Sequence, residues 1–117
     1  MSLDRYQKTK TILGVITILC LAVYLFRDDV YVWLCRHEEN NASCMLAGDY
    51  FESKNQSFLA QDYFSKSCQL NYALACYRLS MITKDEIKSR ALLTKACKLG
   101  HQEACLQQKT KHDNIKP

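Results

Sequence analysis

The chain has 117 residues with seven cysteines, three glycines, one proline and a formal net charge of +4. This length suits one small domain with an anchoring segment, and the scarcity of glycine and proline argues against a turn-rich β fold. Basic and acidic residues are interspersed past residue 30, so nucleic acid is not an expected partner. So many cysteines in a short chain indicate a disulfide framework and an oxidising compartment.

An uncharged run, Thr11–Phe26, predicts a membrane-spanning helix. It would be about 24 Å long, slightly less than the roughly 30 Å hydrocarbon core, and the aromatic residues of segment 30–34 can extend it at the interface. We therefore predict an N-terminal segment over 1–10 and an anchor in the lipid bilayer over 11–34. A cleaved signal peptide is the alternative, disfavoured because the small residues of a cleavage site are missing.

The charges around this run predict the topology. Three basic residues precede it and one follows directly, which places the N-terminus in the cytoplasm. We expect a single-pass inner-membrane protein with a periplasmic C-terminal domain, or a domain in the mitochondrial intermembrane space if the source is eukaryotic. The six later cysteines then lie on the oxidising side. Cys20, within the run, is interpreted as a lone buried thiol of the membrane helix and not as a lipidation site.

Five short helices are predicted after the anchor, from apolar residues at helical spacing and from capping residues. Asn71 and Gly100 tolerate the left-handed conformation that ends a helix. The polar segment 109–117 is predicted to be a flexible tail. The five helices run from Asn40, Asn41 or Ser43 to about Ser53, from Phe58 to Leu70, from Ala73 to Met81, from Asp85 or Glu86 to Leu99, and from His101 to about Lys109.

One pattern occurs twice, in Lys66–Cys76 and in Lys95–Cys105. Each copy reads Lys, a small residue, Cys, any residue and Leu, and ends on Ala-Cys. A looser copy spans Cys35–Cys44. Two helices in a period of about 30 residues are typical of an α-solenoid. We predict a repeat domain over 35–108, with about two and a half repeats.

The six cysteines of these copies form three pairs at a nearly constant interval. Each pair joins the end of one helix to the start of the next. A disulfide there would bridge the short connection between the two helices, here called a helix corner, and would stabilise the fold by roughly 2–3 kcal/mol. Zinc sites favour closer C-x(2–4)-C spacing. A metal site nevertheless stays an alternative, because His37 and His101 each lie between two paired cysteines. Free buried thiols are the third alternative. We predict no metal or cofactor, and the disulfides Cys35–Cys44, Cys68–Cys76 and Cys97–Cys105.

These segments resemble the Sel1-like repeat in its cysteine-rich bacterial form. The resemblance is carried by Lys66–Cys76 and by Ala75-Cys76-Tyr77-Arg78-Leu79. It implies an all-α fold: a short α/α solenoid of Sel1-like, TPR-like helix pairs after the N-terminal transmembrane helix, each repeat stapled by a disulfide. Two features depart from the Sel1-like pattern. Ala47-Gly48 stands one position away from where the family usually has Leu-Gly. Lys54–Ser57 and Thr83-Lys84 stand where the family usually has glycine-rich turns.

The predicted function is a protein–protein interaction adaptor or assembly factor with a protein partner in the cell envelope. The first helix of each repeat supplies polar candidates for partner binding: Asp49, Glu52, Arg78 and Gln102. The alternatives are a toxin–immunity or inhibitor protein, and a β-lactam-binding or hydrolysing enzyme, as some cysteine-rich Sel1-like proteins are described. The S-x-x-K and K-T-G motifs of serine β-lactam enzymes do not occur, so no catalytic residue is predicted.

Overall fold

This computed structural model describes residues 2–114. That range contains six α-helices joined by short connections, and no strand. The all-α class predicted from the sequence is confirmed. The helices are α1 Ser2–His37, α2 Asn41–Ser53, α3 Ser57–Gln69, α4 Ala73–Ile82, α5 Glu86–Lys98 and α6 Gln102–Asp113.

Each helix packs against the one that follows it in the chain, from α1 on α2 to α5 on α6. Short connections make these neighbours antiparallel. The main core lies between α2, α3, α4, α5 and α6, where Phe64 and Leu93 are the largest fully buried side chains. A smaller core surrounds Cys35 and Cys44 and includes Tyr63 of α3. Phe51 of α2, which is partly buried, packs against both cores and so connects them.

Helix α1 is one uninterrupted helix of 36 residues, about 54 Å long. It contains both the uncharged run and most of the preceding segment 1–10, of which Met1 lies outside the described residues. Within the described range it is the one helix long and apolar enough to cross a membrane, and none of its apolar stretch is buried against the protein. Only its last turns pack on α2 and α3.

Four helices are followed by a residue with left-handed backbone: Glu39 after α1 (φ +48°), Asn55 after α2 (φ +58°), Asn71 after α3 (φ +65°) and Gly100 after α5 (φ +100°). After α2, α3 and α5 the next amide donates back across the last turn. The Tyr72 amide donates to the Ser67 carbonyl at 3.1 Å, and the His101 amide to the Ala96 carbonyl at 3.0 Å. This is the Schellman arrangement, which satisfies carbonyls that a helix end would otherwise leave unpaired.

Two helix starts are capped by side chains. The Asn40 side-chain oxygen, Oδ1, accepts from the amides of Ala42 and Ser43 at 3.0 and 3.2 Å. The Asp85 carboxylate accepts from the Ile87 amide at 3.0 Å. Such caps are worth about 1 kcal/mol each. The cap of α2 is therefore Asn40, one of the three residues considered from the sequence, and the cap of α5 is Asp85.

Helix α6 ends at Asp113 and so continues past the predicted helix end near Lys109, which this corrects. The Thr110 hydroxyl donates to the Gln107 carbonyl at 2.9 Å, inside the helix. Lys111 and His112 lie in the last turn, where positive charge favours the helix dipole. Residues 115–117 of the predicted tail lie outside the described residues.

Candidate functional site

Three disulfides close alternate helix corners, joining α1 to α2, α3 to α4 and α5 to α6. In each, the first cysteine lies in the last turns of one helix and the second in the first turn of the next. The joined Cα atoms are 4.6–4.7 Å apart. The chain thus forms three stapled corners with the same construction. The bonds link the pairs that the spacing indicates: Cys35–Cys44, Cys68–Cys76 and Cys97–Cys105.

The seventh cysteine, Cys20, lies on the exposed surface of α1 and is not in a disulfide. Within residues 2–114, no group of three or more His, Cys, Asp or Glu is arranged to hold a metal ion. His101 begins the α6 corner as its N-cap residue and is half-buried, with its ring centroid 4.5 Å from that of Tyr77. In the described structure its ring packs on Tyr77, and its Nε2 is buried without a hydrogen-bond partner.

The helices that follow the corners, α2, α4 and α6, contact one another through side chains at two points. Arg78 Nη1 of α4 lies 3.7 Å from Glu52 Oε2 of α2. On the other side of α4, Gln107 Nε2 of α6 donates to the Tyr77 hydroxyl at 3.1 Å. These contacts place the three helices in one layer. We call their exposed side the α2–α4–α6 face; its members are Glu52, Leu74, Arg78, Met81, Gln102 and Leu106.

The structure brings together two of the four predicted partner-binding residues, Glu52 and Arg78. Their side chains remain 40% and 47% exposed, so solvent screens the ion pair. Exposed pairs of this kind contribute only about 0.2–1 kcal/mol to stability. The pair therefore orders the two side chains on the surface more than it stabilises the fold, and its charges stay accessible to a partner.

The other two predicted residues lie apart from this pair. Asp49 lines a cleft between α1 and α2, with a volume of about 470 Å³. Gln102 begins α6 and is exposed, outside both the cleft and the ion pair. The four residues thus share a layer of helices without forming one compact site.

Sequence reasoning named polar residues on this face and missed the apolar ones between them. On α4, Leu74 and Met81 are 39% and 59% exposed and flank Arg78 at positions i, i+4 and i+7. This spacing places all three on one side of the helix. Leu106 on α6 is exposed as well. The signal was present in the sequence as a second apolar stripe on α4, opposite the buried Ala75, Cys76 and Leu79.

Side-chain contacts around Tyr63 connect the corner between α1 and α2 to helix α3. The Phe51 ring of α2 stacks on the Tyr63 ring of α3, with centroids 5.1 Å apart. The Arg36 Nε of α1 donates to the Tyr63 hydroxyl at 3.3 Å. Tyr63 is thereby shared by three helices. The end of α1 is tied to the rest of the domain by this contact as well as by the first disulfide.

Comparison with known proteins gives partial similarities. No known protein family matches the chain, and no solved structure matches it. The chain is similar to cytochrome c oxidase assembly factor 7A of Xenopus laevis, with 36% identity over 46% of this chain. It is also similar to cytochrome c oxidase assembly factor 7 of Xenopus tropicalis, with 34% identity over the same share. The matched part spans 27% of the length of each relative.

Proposed function

We propose that this chain is a membrane-anchored adaptor or assembly factor whose α2–α4–α6 face binds a protein partner. The observation that carries the proposal is the face itself: exposed leucine and methionine side chains interleaved with the accessible Glu52–Arg78 pair. Methionine and arginine are enriched in protein interfaces relative to the rest of the surface, and arginine is frequent among the residues that carry most of the binding energy. A face of this kind suits binding a protein better than chemistry on a small substrate.

The proposed architecture is a short α/α solenoid of Sel1-like, TPR-like helix pairs. Equivalent parts of two corners recur at one interval: Cys68 with Cys97, Cys76 with Cys105, and left-handed Asn71 with left-handed Gly100. Packing between consecutive helices is what a solenoid requires. Three repeats are normally needed for stability, and the disulfides offset the shortness of this array.

The proposed location is a membrane, crossed by α1 through Thr11–Phe26. The exposed apolar surface of α1 and the basic residues before it support this proposal. The stapled domain would lie in an oxidising space, which is the periplasm in a bacterium and the mitochondrial intermembrane space in a eukaryote. The lipid bilayer is then the second partner, held through residues 11–34.

The assembly-factor part of the proposal also draws on the two relatives, whose names describe assembly factors of cytochrome c oxidase. The similarity covers about a quarter of each relative, so it supports the class of role and a protein partner. We propose assembly or recruitment of a membrane-associated protein complex, and no catalytic step.

Position-specific photocrosslinking in native membranes tests the proposal. A photoreactive amino acid is placed at Leu74 or Met81 on the α2–α4–α6 face, and at Phe58 or Ile87 as controls. The controls are 82% and 81% exposed and lie on α3 and α5. We expect the same protein adduct from both face positions and none from the controls. Adducts from all four positions alike, or nitrocefin turnover by the purified chain, would overturn the proposed function.

A further inference from the structure

The cleft between α1 and α2 lies where the apolar run of α1 ends. Its lining includes Arg27, the residue directly after that run, and Lys54 at the end of α2. The Cys35–Cys44 disulfide turns the chain back, so α2 descends alongside α1. At 1.5 Å per residue, Arg27 lies about 12 Å before Cys35, and Lys54 about 15 Å after Cys44. The two cationic side chains therefore reach the same level, on opposite walls of one cleft.

The cleft combines both signs of charge with aromatic hydroxyls. Two cations, two carboxylates and two tyrosines line it, together with Leu46 and Ser53. Its volume of about 470 Å³ is in the range of sites for small ligands. Such a lining suits a compact ligand that carries a positive and a negative group. The charged and aromatic members are Arg27, Asp28, Tyr31, Asp49, Tyr50 and Lys54.

The cationic groups of Arg27 and Lys54 each form a cation–π contact with a tyrosine ring. The Arg27 guanidinium lies 5.4 Å from the centroid of the Tyr24 ring, and its Nε is 3.3 Å from Asp28 Oδ1. The Lys54 ammonium lies 5.8 Å from the centroid of the Tyr50 ring. Cation–π contacts orient these groups without using their N–H donors. The remaining donors suit the oxygens of a phosphate, for which guanidinium and ammonium groups are the usual ligands.

We propose that the α1–α2 cleft binds the headgroup of an aminophospholipid from the surrounding bilayer. The phosphate lies toward Arg27 and Lys54, and the primary ammonium donates to Asp49 and Asp28. This inference rests on the proposed membrane anchoring of α1. With Thr11–Phe26 in the hydrocarbon, Arg27 stands at the level of the lipid phosphates, and the acyl chains continue along the exposed apolar surface of α1.

The lining also predicts which phospholipid is preferred. A choline headgroup has no N–H to donate to a carboxylate, and Lys54 already covers the Tyr50 face that could serve as an aromatic cage. An anionic glycerol headgroup brings no positive charge to the two carboxylates, Asp28 and Asp49. A phosphoethanolamine headgroup satisfies both the cations and the carboxylates, so phosphatidylethanolamine is the expected ligand.

Native mass spectrometry of the full chain in detergent micelles tests this, with phosphatidylethanolamine, phosphatidylcholine and phosphatidylglycerol titrated separately. We expect phosphatidylethanolamine to be retained most strongly. Lys54→Gln should weaken its retention several-fold, because one of the two cations that face the phosphate is lost. Asp49→Asn should remove the preference over phosphatidylcholine. The matched controls Lys109→Gln on α6 and Asp62→Asn on α3 are exposed and outside the cleft, and should leave retention unchanged.

Equal retention of the three lipids, or equal effects of the cleft variants and their controls, would overturn the inference. So would competition by soluble phosphoethanolamine at the same concentration as the lipid, which would indicate a soluble ligand. Circular dichroism and disulfide mapping of Lys54→Gln and Asp49→Asn verify that both variants fold. If lipid selectivity fails while face-specific crosslinks persist, only the cleft proposal falls. Failure of the chain to insert into liposomes would overturn the anchoring and this inference together.

Discussion

The Phe64 ring of α3 lies directly against the backbone of Gly48 in α2. A Cβ atom built on Gly48 would stand 2.5 Å from two carbons of that ring, far inside van der Waals contact. Phe64 is fully buried and is the largest such side chain in the described structure. Glycine is needed at position 48 for space and not for an unusual backbone angle. This contact sets how closely α2 and α3 approach.

We predict that Gly48→Ala lowers the free energy of unfolding by about 1–3 kcal/mol, the usual effect of overpacking a core. The methyl group forces either the Phe64 ring or the α2 backbone to move. Thermal and urea unfolding of the full chain in detergent measure the effect. Gly14→Ala is the matched control, because its added Cβ meets nothing within 4 Å; equal stability of the two variants would contradict the packing argument.

The second disulfide, Cys68–Cys76, should stabilise the array by closing the corner between α3 and α4. Replacing both cysteines by alanine is expected to lower the free energy of unfolding by about 2–3 kcal/mol, because the unfolded chain gains the freedom of that loop. Non-reducing peptide mapping should find this bond in the parent chain. Cys20→Ala, outside the disulfides, is the control; a Cys44–Cys68 or Cys76–Cys97 bond would refute the stapled-corner arrangement.

Asn71 ends α3 with φ +65°, where a side chain that cannot hydrogen-bond locally is disfavoured. We expect Asn71→Ala to lower the free energy of unfolding by about 1 kcal/mol. Asn71→Gly should lower it less, since glycine adopts this conformation without steric penalty. Chemical denaturation of the two variants side by side gives the comparison. Identical losses would show that the left-handed residue does not limit this corner.

Arg78 should matter for the partner more than for the fold. Because its pair with Glu52 is exposed, Arg78→Gln should change the free energy of unfolding by less than about 1 kcal/mol. We expect the same change to weaken photocrosslinking from Leu74 several-fold. Arg90→Gln is the control, since Arg90 forms an exposed pair with Glu86 on α5 at 2.7 Å, outside the α2–α4–α6 face. An equal loss of crosslinking in both variants would argue against that face.

The proposed topology predicts that an alkaline phosphatase fused after residue 117 is active in bacteria, because that enzyme requires disulfides formed outside the cytoplasm. A green fluorescent protein at the same position should stay dark when exported by the general secretory route. The reverse pattern would place the domain in the cytoplasm. Thiol labelling before and after reduction then measures whether the six paired cysteines are oxidised in the same cells.

Much of the local structure could be predicted because its causes are local. Asn40, Asp85, Asn71 and Gly100 determine where helices begin and end through their own side chains or backbone freedom. The end of α6 was placed too early because polar composition alone does not end a helix.

The candidate surface was predictable only in part. Arg78 and Asp49 could be named as polar residues on otherwise apolar helices, but whether two such residues meet depends on how helices cross. The exposed Leu74 and Met81 were missed because an apolar residue on a short helix is ordinarily assigned to the core.

The sequence by itself determined the helical class, the helix corners, the cysteine pairs and the long apolar segment, since these follow from composition, spacing and local backbone chemistry. Only the tertiary structure decided that Glu52 meets Arg78, that Phe64 rests on Gly48, and that Lys54 returns to the level of Arg27. The physical reason is that these relationships join residues on different helices. Their distances are set by the packing of whole helices and not by any interval along the chain.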